Sequence, residues 1–126
     1  MEKRLAAILI SDIVGYTKLM EEDTEGTVMA WSDARDNVIE LEVEAANGRL
    51  VKFMGDGFLA EFSTVQTALE CAIAIQNGVK DNSLKFRMAV HLGDIIDDGK
   101  DILNTGGGIV NMSNYSKSDD FLILSY

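Results

Sequence analysis

The run Leu5-Ala6-Ala7-Ile8-Leu9-Ile10 is apolar at every position and closes on Ser11-Asp12. A strand with one wet face alternates polar and apolar residues, whereas an unbroken apolar run has both faces covered. Residues 4–11 are therefore expected to form a fully buried central strand. The rest of the chain must then supply strands for both its edges and layers for its faces. A charged residue, Asp12, has to sit where this strand ends.

The remaining sequence supplies those parts in a definite order. Val28, Trp31, Val38, Leu41 and Ala45 recur at helical spacing, and Asn47-Gly48 provides the stop. Residues 49–54 and 58–62 read as two short strands joined by the hairpin turn Gly55-Asp56-Gly57. Ser63-Thr64-Val65-Gln66 has the form of a capping box, opening a helix with Val65, Leu69, Ala72, Ile73, Gln76 and Val79 on one face. Leu84, Phe86, Met88, Val90 and Leu92 alternate with Lys85, Arg87, Ala89 and His91, which predicts a half-buried strand. Ile95 and Ile96 are expected to continue the sheet after a turn near Gly93-Asp94, and Phe121-Leu122-Ile123-Leu124-Ser125 reads as a further strand.

This order predicts an α+β fold with a ferredoxin-like βαββαβ core and an antiparallel sheet. In that arrangement the third strand lies between the second and the first. The end of the first strand and the start of the third then share one end of the sheet, so Asp12 and Asp56 are expected to meet.

Composition narrows the function classes. The 126 residues make one domain, 1–126, with a single core. A formal net charge of −10 and no basic stripe exclude a nucleic-acid binder. A nucleotide substrate stays compatible, because metal ions can supply positive charge locally. The lone Cys71 excludes an intramolecular disulfide and a cysteine-built metal site, and its apolar neighbours predict a buried structural thiol. The apolar run is too short to span a membrane, and Asp12 interrupts it too early for a signal peptide, so a cytoplasmic protein is expected. His91, the one histidine, lies on the polar side of an alternating strand, and no catalytic role is expected of it. The six methionines are expected to fill the core.

Taken singly, Asp12 reads first as a turn or cap residue and Asp56 as an ordinary hairpin turn. Their surroundings change that. Ser11-Asp12-Ile13-Val14-Gly15-Tyr16-Thr17 and Lys52-Phe53-Met54-Gly55-Asp56-Gly57 resemble the two metal-binding motifs of the class III nucleotide cyclases, the adenylate and guanylate cyclase family. The resemblance runs from residue 4 to about residue 101. It implies attack of a ribose 3′-hydroxyl on the α-phosphate of a nucleoside triphosphate, with pyrophosphate leaving. It also implies two divalent ions, Mg²⁺ or Mn²⁺, ~4 Å apart. Asp12, Asp56 and the Ile13 carbonyl would hold them, and the N–H groups of Gly15, Tyr16 and Thr17 would meet the terminal phosphates.

Lys52 stands where the family reads the base. An ammonium donates to the acceptor N1 of adenine, whereas guanylate cyclases usually carry glutamate there, so the resemblance implies ATP. The lysine's usual partner corresponds to Asp101 or Thr105. In Val110-Asn111 the asparagine would orient the ribose. The family works as dimers in which metal aspartates of one subunit face the lysine and asparagine of the other. The implied protein is a homodimeric adenylate cyclase that makes cyclic AMP for signal transduction.

The pattern departs from the family after Asp101. Leu103-Asn104-Thr105-Gly106-Gly107-Gly108 is longer than its family counterpart and is expected to be an ordinary loop rather than a phosphate cradle. Tyr115, four positions after Asn111, stands where the family has an arginine that stabilises transition-state charge. The sequence ends at Tyr126, where family domains continue into a hairpin bearing a triphosphate-binding lysine. Residues 102–126 are therefore expected to be divergent or truncated. The alternative function is a catalytically impaired homologue acting as a nucleotide-binding or dimerisation module. A third is an interaction domain whose acids have no chemical role.

Overall fold

β1 (Glu2–Ile13) runs through the middle of an antiparallel sheet in the computed structural model, which describes residues 2–97, 102–104 and 121–125. One edge of β1 pairs with β3 (Gly57–Phe62), which in turn pairs with β2 (Arg49–Met54). The other edge pairs along its whole length with β4 (Phe86–Asp97), from Glu2 against Asp97 to Ile13 against Phe86. This is the expected ferredoxin-like order. Two further strands extend it on the outer edge of β4: β5 (Ile102–Asn104) against Ile95–Asp97, and β6 (Phe121–Ser125) against Arg87–His91.

The described helices all pack on one face of this sheet. α1 (Tyr16–Glu22) and α2 (Thr24–Ala34) follow β1; a π-helical turn, Arg35–Ile39, leads into α3 (Glu40–Ala45). α4 (Val65–Gly78) links β3 to β4. Ala7, Leu9, Ile13, Phe58, Ala60, Phe62, Phe86, Met88 and Val90 point from the sheet into the helical layer. The other face carries a smaller apolar cluster borne wholly on strands: Ala6, Ile8, Ile10, Leu59, Ala89 and Ile95. Residues 6–11 of the central strand are thus buried on both faces, whereas Leu5, expected inside with them, is exposed and Arg4 half-buried at the strand's other end.

Several expectations are corrected in detail. The first helical face is Thr27, Trp31 and Ala34, then Ile39 and Val43, while Val28, Leu41 and Ala45 are exposed. Val38 does pack against the core, as expected; beyond it the extra residue of the π turn rotates the helix, so that Ile39 and Val43 face inward where a regular period would place Leu41 and Ala45. The helix stop lies at Asn47, which takes the left-handed conformation (φ 56) and donates to the Glu44 carbonyl, while Gly48 N–H reaches Val43. In α4 the cap is Thr64, whose hydroxyl accepts from Thr67 N–H, not a Ser63–Gln66 box. Its buried face is Ala68, Cys71, Ala72, Ile75 and Gln76, leaving Val65 and Ile73 exposed. No turn forms at Gly93-Asp94: both residues pair with β1, and β4 is continuous. Leu103 and Asn104 belong to β5 rather than to a loop.

Cys71 is the buried thiol that its neighbours predicted. Burial, reinforced by the negative charge of Glu42, pushes it up to about 12 from 9.0. The folded state then keeps the proton where an unfolded thiol would lose it. This contribution to stability is complete below the unfolded thiol's range and is lost as pH rises toward about 12. Cys71→Ala is expected to flatten part of the alkaline decline in stability, read as the difference between the two proteins' denaturant midpoints between about pH 9 and pH 11. The wild-type thiol should also resist alkylation until the domain unfolds.

Candidate functional site

The site grows from the end of β1. Ile13 N–H donates to the Asp56 carbonyl at 2.7 Å, and Val14 N–H donates to the Lys85 carbonyl at 2.8 Å. These two bonds fasten the end of the central strand to the β2–β3 hairpin on one side and to the start of β4 on the other. Asp12 itself lies in register with Gly57 and with Arg87. Gly57 has to be glycine, because a Cβ there would lie 1.9 Å from the Ser11 carbonyl oxygen. The backbone therefore brings Asp12 and Asp56 to the same end of the sheet, as the topology predicted.

The chain leaves the sheet through Gly15, whose φ of 67 is in the left-handed region that favours glycine. α1 begins at once, and its first internal bond is Leu19 N–H to the Gly15 carbonyl at 3.0 Å. The N–H groups of its opening turn, Tyr16 and Thr17 among them, have no acceptor four residues back. The Tyr16 side chain packs against the core, and Thr17 is exposed.

A brace that the sequence pattern did not single out holds the hairpin tip. Trp31 in α2 donates its indole N–H to the Gly55 carbonyl at 3.1 Å, next to Asp56. The indole meets Phe53 edge-on at 5.8 Å between ring centres, and the Arg35 guanidinium lies over both rings, 5.4 Å from Trp31 and 5.5 Å from Phe53. Arg35 is the first residue of the π turn. The irregular helix and the tip bearing Asp56 are thus built into one aromatic cluster.

The larger surprise is Arg87, which the alternating pattern marked only as a polar strand position. Its guanidinium grips Asp12 with both prongs, Nε to Oδ1 at 3.2 Å and a terminal nitrogen to Oδ2 at 2.7 Å. The hydrogen bond to Asp12 is the main reason that Arg87 is held still further toward its charged form. Coulomb attraction to Asp12 adds to it, and partial burial opposes it. Asp12 is therefore a neutralised carboxylate rather than one half of a repelling acid pair.

Lys52 pairs with Leu59 and so projects on the helix-free face, as Asp12 does two strands away. β3 lies between Lys52 and Asp12, while Asp56 sits at the tip of the hairpin whose first strand carries Lys52. His91 lies on the same face of β4 as Arg87, opposite Ile8 and set back from the acidic end. Asp101, Thr105, Asn111 and Tyr115 lie outside the described residues.

Among the described residues no group of three or more His, Cys, Asp or Glu side chains converges on one point. Two carboxylates beside exposed backbone fit a hard ion that keeps several positions for water and substrate oxygens, the coordination habit of Mg²⁺, rather than a closed protein cage. The guanidinium seated on Asp12 shows that this carboxylate faces cations.

The chain is 37% identical over 114 residues to a protein of Rhizobium meliloti (strain 1021) described as "Putative adenylate cyclase 3". It superposes on the adenylate/guanylate cyclase/hydrolase from Silicibacter pomeroyi with a TM-score of 0.72 at 36% identity, over 82% of this chain. This chain carries a class III nucleotide cyclase domain. The adenylyl cyclase CyaB from P. aeruginosa, at 18% identity and a TM-score of 0.65 over 98% of the chain, shares the fold of this cyclase domain. No family model matches the sequence. The domain spans 19% of the Rhizobium protein and 64% of the Silicibacter chain. Among its described residues no helix is long and apolar enough to cross a membrane.

Proposed function

We propose that this cyclase domain converts ATP to cyclic AMP and pyrophosphate, as a cytoplasmic homodimer serving signal transduction. The observation that carries this reading is the joining of Asp12 and Asp56 at one end of the sheet, through the bond from Ile13 N–H to the Asp56 carbonyl. Asp12, Asp56 and the Ile13 carbonyl would hold Mg²⁺ or Mn²⁺, and the α1 opening turn at Gly15, Tyr16 and Thr17 would face the phosphates. Bound there, the two ions would lower the pKa of the attacking 3′-hydroxyl and neutralise the triphosphate. The protein's own work is positional: β1, β3 and the Trp31 brace fix where the carboxylates stand. β3 lies between Lys52 and Asp12 of one chain, and by the family's dimeric arrangement a complete site would take Lys52 and Asn111 from a second copy.

The test is cyclic AMP formation from ATP and Mn²⁺ by the purified chain, measured across protein concentration. Product whose specific rate rises with dimer fraction supports the reading. The absence of product with nucleotide binding intact supports the second reading, a binding module impaired at turnover, which Tyr115 favours.

Lys52 carries the choice of base. Lys52→Glu is expected to weaken ATP binding more than GTP binding, by ~1–3 kcal/mol, the range of one charged hydrogen bond. Calorimetric titration of both nucleotides in Mn²⁺ checks it. Equal losses would make Lys52 a phosphate contact or a strand residue.

A further inference from the structure

The grip of Arg87 on Asp12 bears on how the proposed metal site is filled. Both Asp12 oxygens are taken by one guanidinium, Oδ1 by Nε and Oδ2 by a terminal nitrogen. That fork takes one lone pair on each oxygen, so a metal ion on this carboxylate would have to share it with the guanidinium or displace it. A full positive charge held there also opposes a divalent ion on the same oxygens. The pair is not sealed: the Arg87 side chain is 41% exposed and the Asp12 side chain 23%. Arg87 can therefore swing away without disturbing its chain neighbours Phe86 and Met88, which point to the opposite, helix-covered face.

We propose that Arg87 is a resident counter-cation of the metal-free domain, and that Asp12 must exchange this guanidinium for the ion when metal loads. The inference rests on the metal reading of Asp12 and Asp56. In its terms the metal-free and loaded states are alternative pairings of one carboxylate, and Arg87 sets the ion concentration at which they swap. It is a positioning residue in the free protein, keeping Asp12 neutralised and aimed until the ion arrives.

The experiment compares the wild-type chain, Arg87→Met and Arg87→Lys, without nucleotide, by the free-Mn²⁺ electron paramagnetic resonance signal. Arg87→Met is expected to bind Mn²⁺ about 5-fold more tightly, the upper end for a solvent-accessible ion pair. Arg87→Lys should fall between, because its point charge cannot grip both oxygens. In wild type, the Arg87 Nε–H resonance, assigned by its loss in Arg87→Lys, should move toward free arginine as Mg²⁺ is added. An unchanged or weakened Mn²⁺ affinity in Arg87→Met overturns the proposal. So does Arg87→Lys matching wild type, which would reduce the effect to net charge. If Arg87→Met fails to fold, the lysine variant and the wild-type resonance still decide. Asp12→Asn separates the two readings. Wild-type Mn²⁺ affinity in that variant defeats the metal site itself; lost affinity there, with no tightening in Arg87→Met, defeats only the exchange.

Discussion

Asp12→Asn is expected to remove metal-dependent nucleotide binding from a domain that still folds. The substitution keeps the size of the side chain and one acceptor oxygen for Arg87, and removes the charge. A hard divalent ion depends on anionic oxygen, and here only two carboxylates supply it among the described residues. Loss of a group that merely supports a ligand costs ~10- to 100-fold in metal affinity, so loss of the ligand's own charge should exceed that. The fold should lose little. The Asp12–Arg87 pair is open to solvent, and such pairs contribute about 1 kcal/mol or less. Asp56→Asn should cost as much metal binding with a smaller change in stability, because Asp56 is exposed on a turn. Titration of ATP with and without Mn²⁺, beside a thermal melt, reads both quantities. Undiminished Mn²⁺-dependent affinity in both single variants would end the two-carboxylate reading.

The parts of this site that were legible in the sequence are those fixed by local pattern. An unbroken apolar run, a Gly-Asp-Gly turn between short strands and a helical period on either side point to the ferredoxin-like order, and that order puts Asp12 and Asp56 at one end of the sheet. What stayed hidden depends on register or on a local irregularity. Arg87 is 75 residues from Asp12, and its role exists only because β1 and β4 align Asp12 with Arg87. A signal was present: once the strand order is accepted, the first outward charge of β4 must face the last residues of β1. The π turn gave no such signal. Val38, Leu41 and Ala45 continue a good helical period, and only the packing of Ile39 and Val43 reveals the added residue.

Gly93-Asp94 failed for the opposite reason. The dipeptide is good turn chemistry, but the twelve-residue pairing of β4 with β1 overrides a two-residue preference. Gly93 has a different constraint there, since a Cβ would come within 2.6 Å of His91 Nε2 on the same face. Glycine in this strand marks a close approach, not a bend.

Tyr115→Arg is expected to raise turnover by about 100- to 1,000-fold, corresponding to the ~2.7–4 kcal/mol that one preorganised stabiliser of transition-state charge contributes. Tyr115 holds the position four residues after Asn111 where the family's arginine stands. A phenol donates one hydrogen bond and carries no positive charge, so it recovers little of that stabilisation. ATP affinity should hardly change, because the missing interaction belongs chiefly to the transition state; kcat should rise with KM nearly constant. The segment containing Tyr115 leads into β6, which returns the chain to β4 at Arg87–His91, the strand that bears the Asp12 partner. The assay compares wild type, Tyr115→Arg and Tyr115→Ala as purified dimers with saturating Mn²⁺ and ATP. Low wild-type activity that rises in the arginine variant, with an unchanged melting temperature, is the expected result. Robust cyclic AMP formation by wild type, unaffected by either substitution, would show that another group stabilises the transition state and that Tyr115 does not occupy the arginine's place.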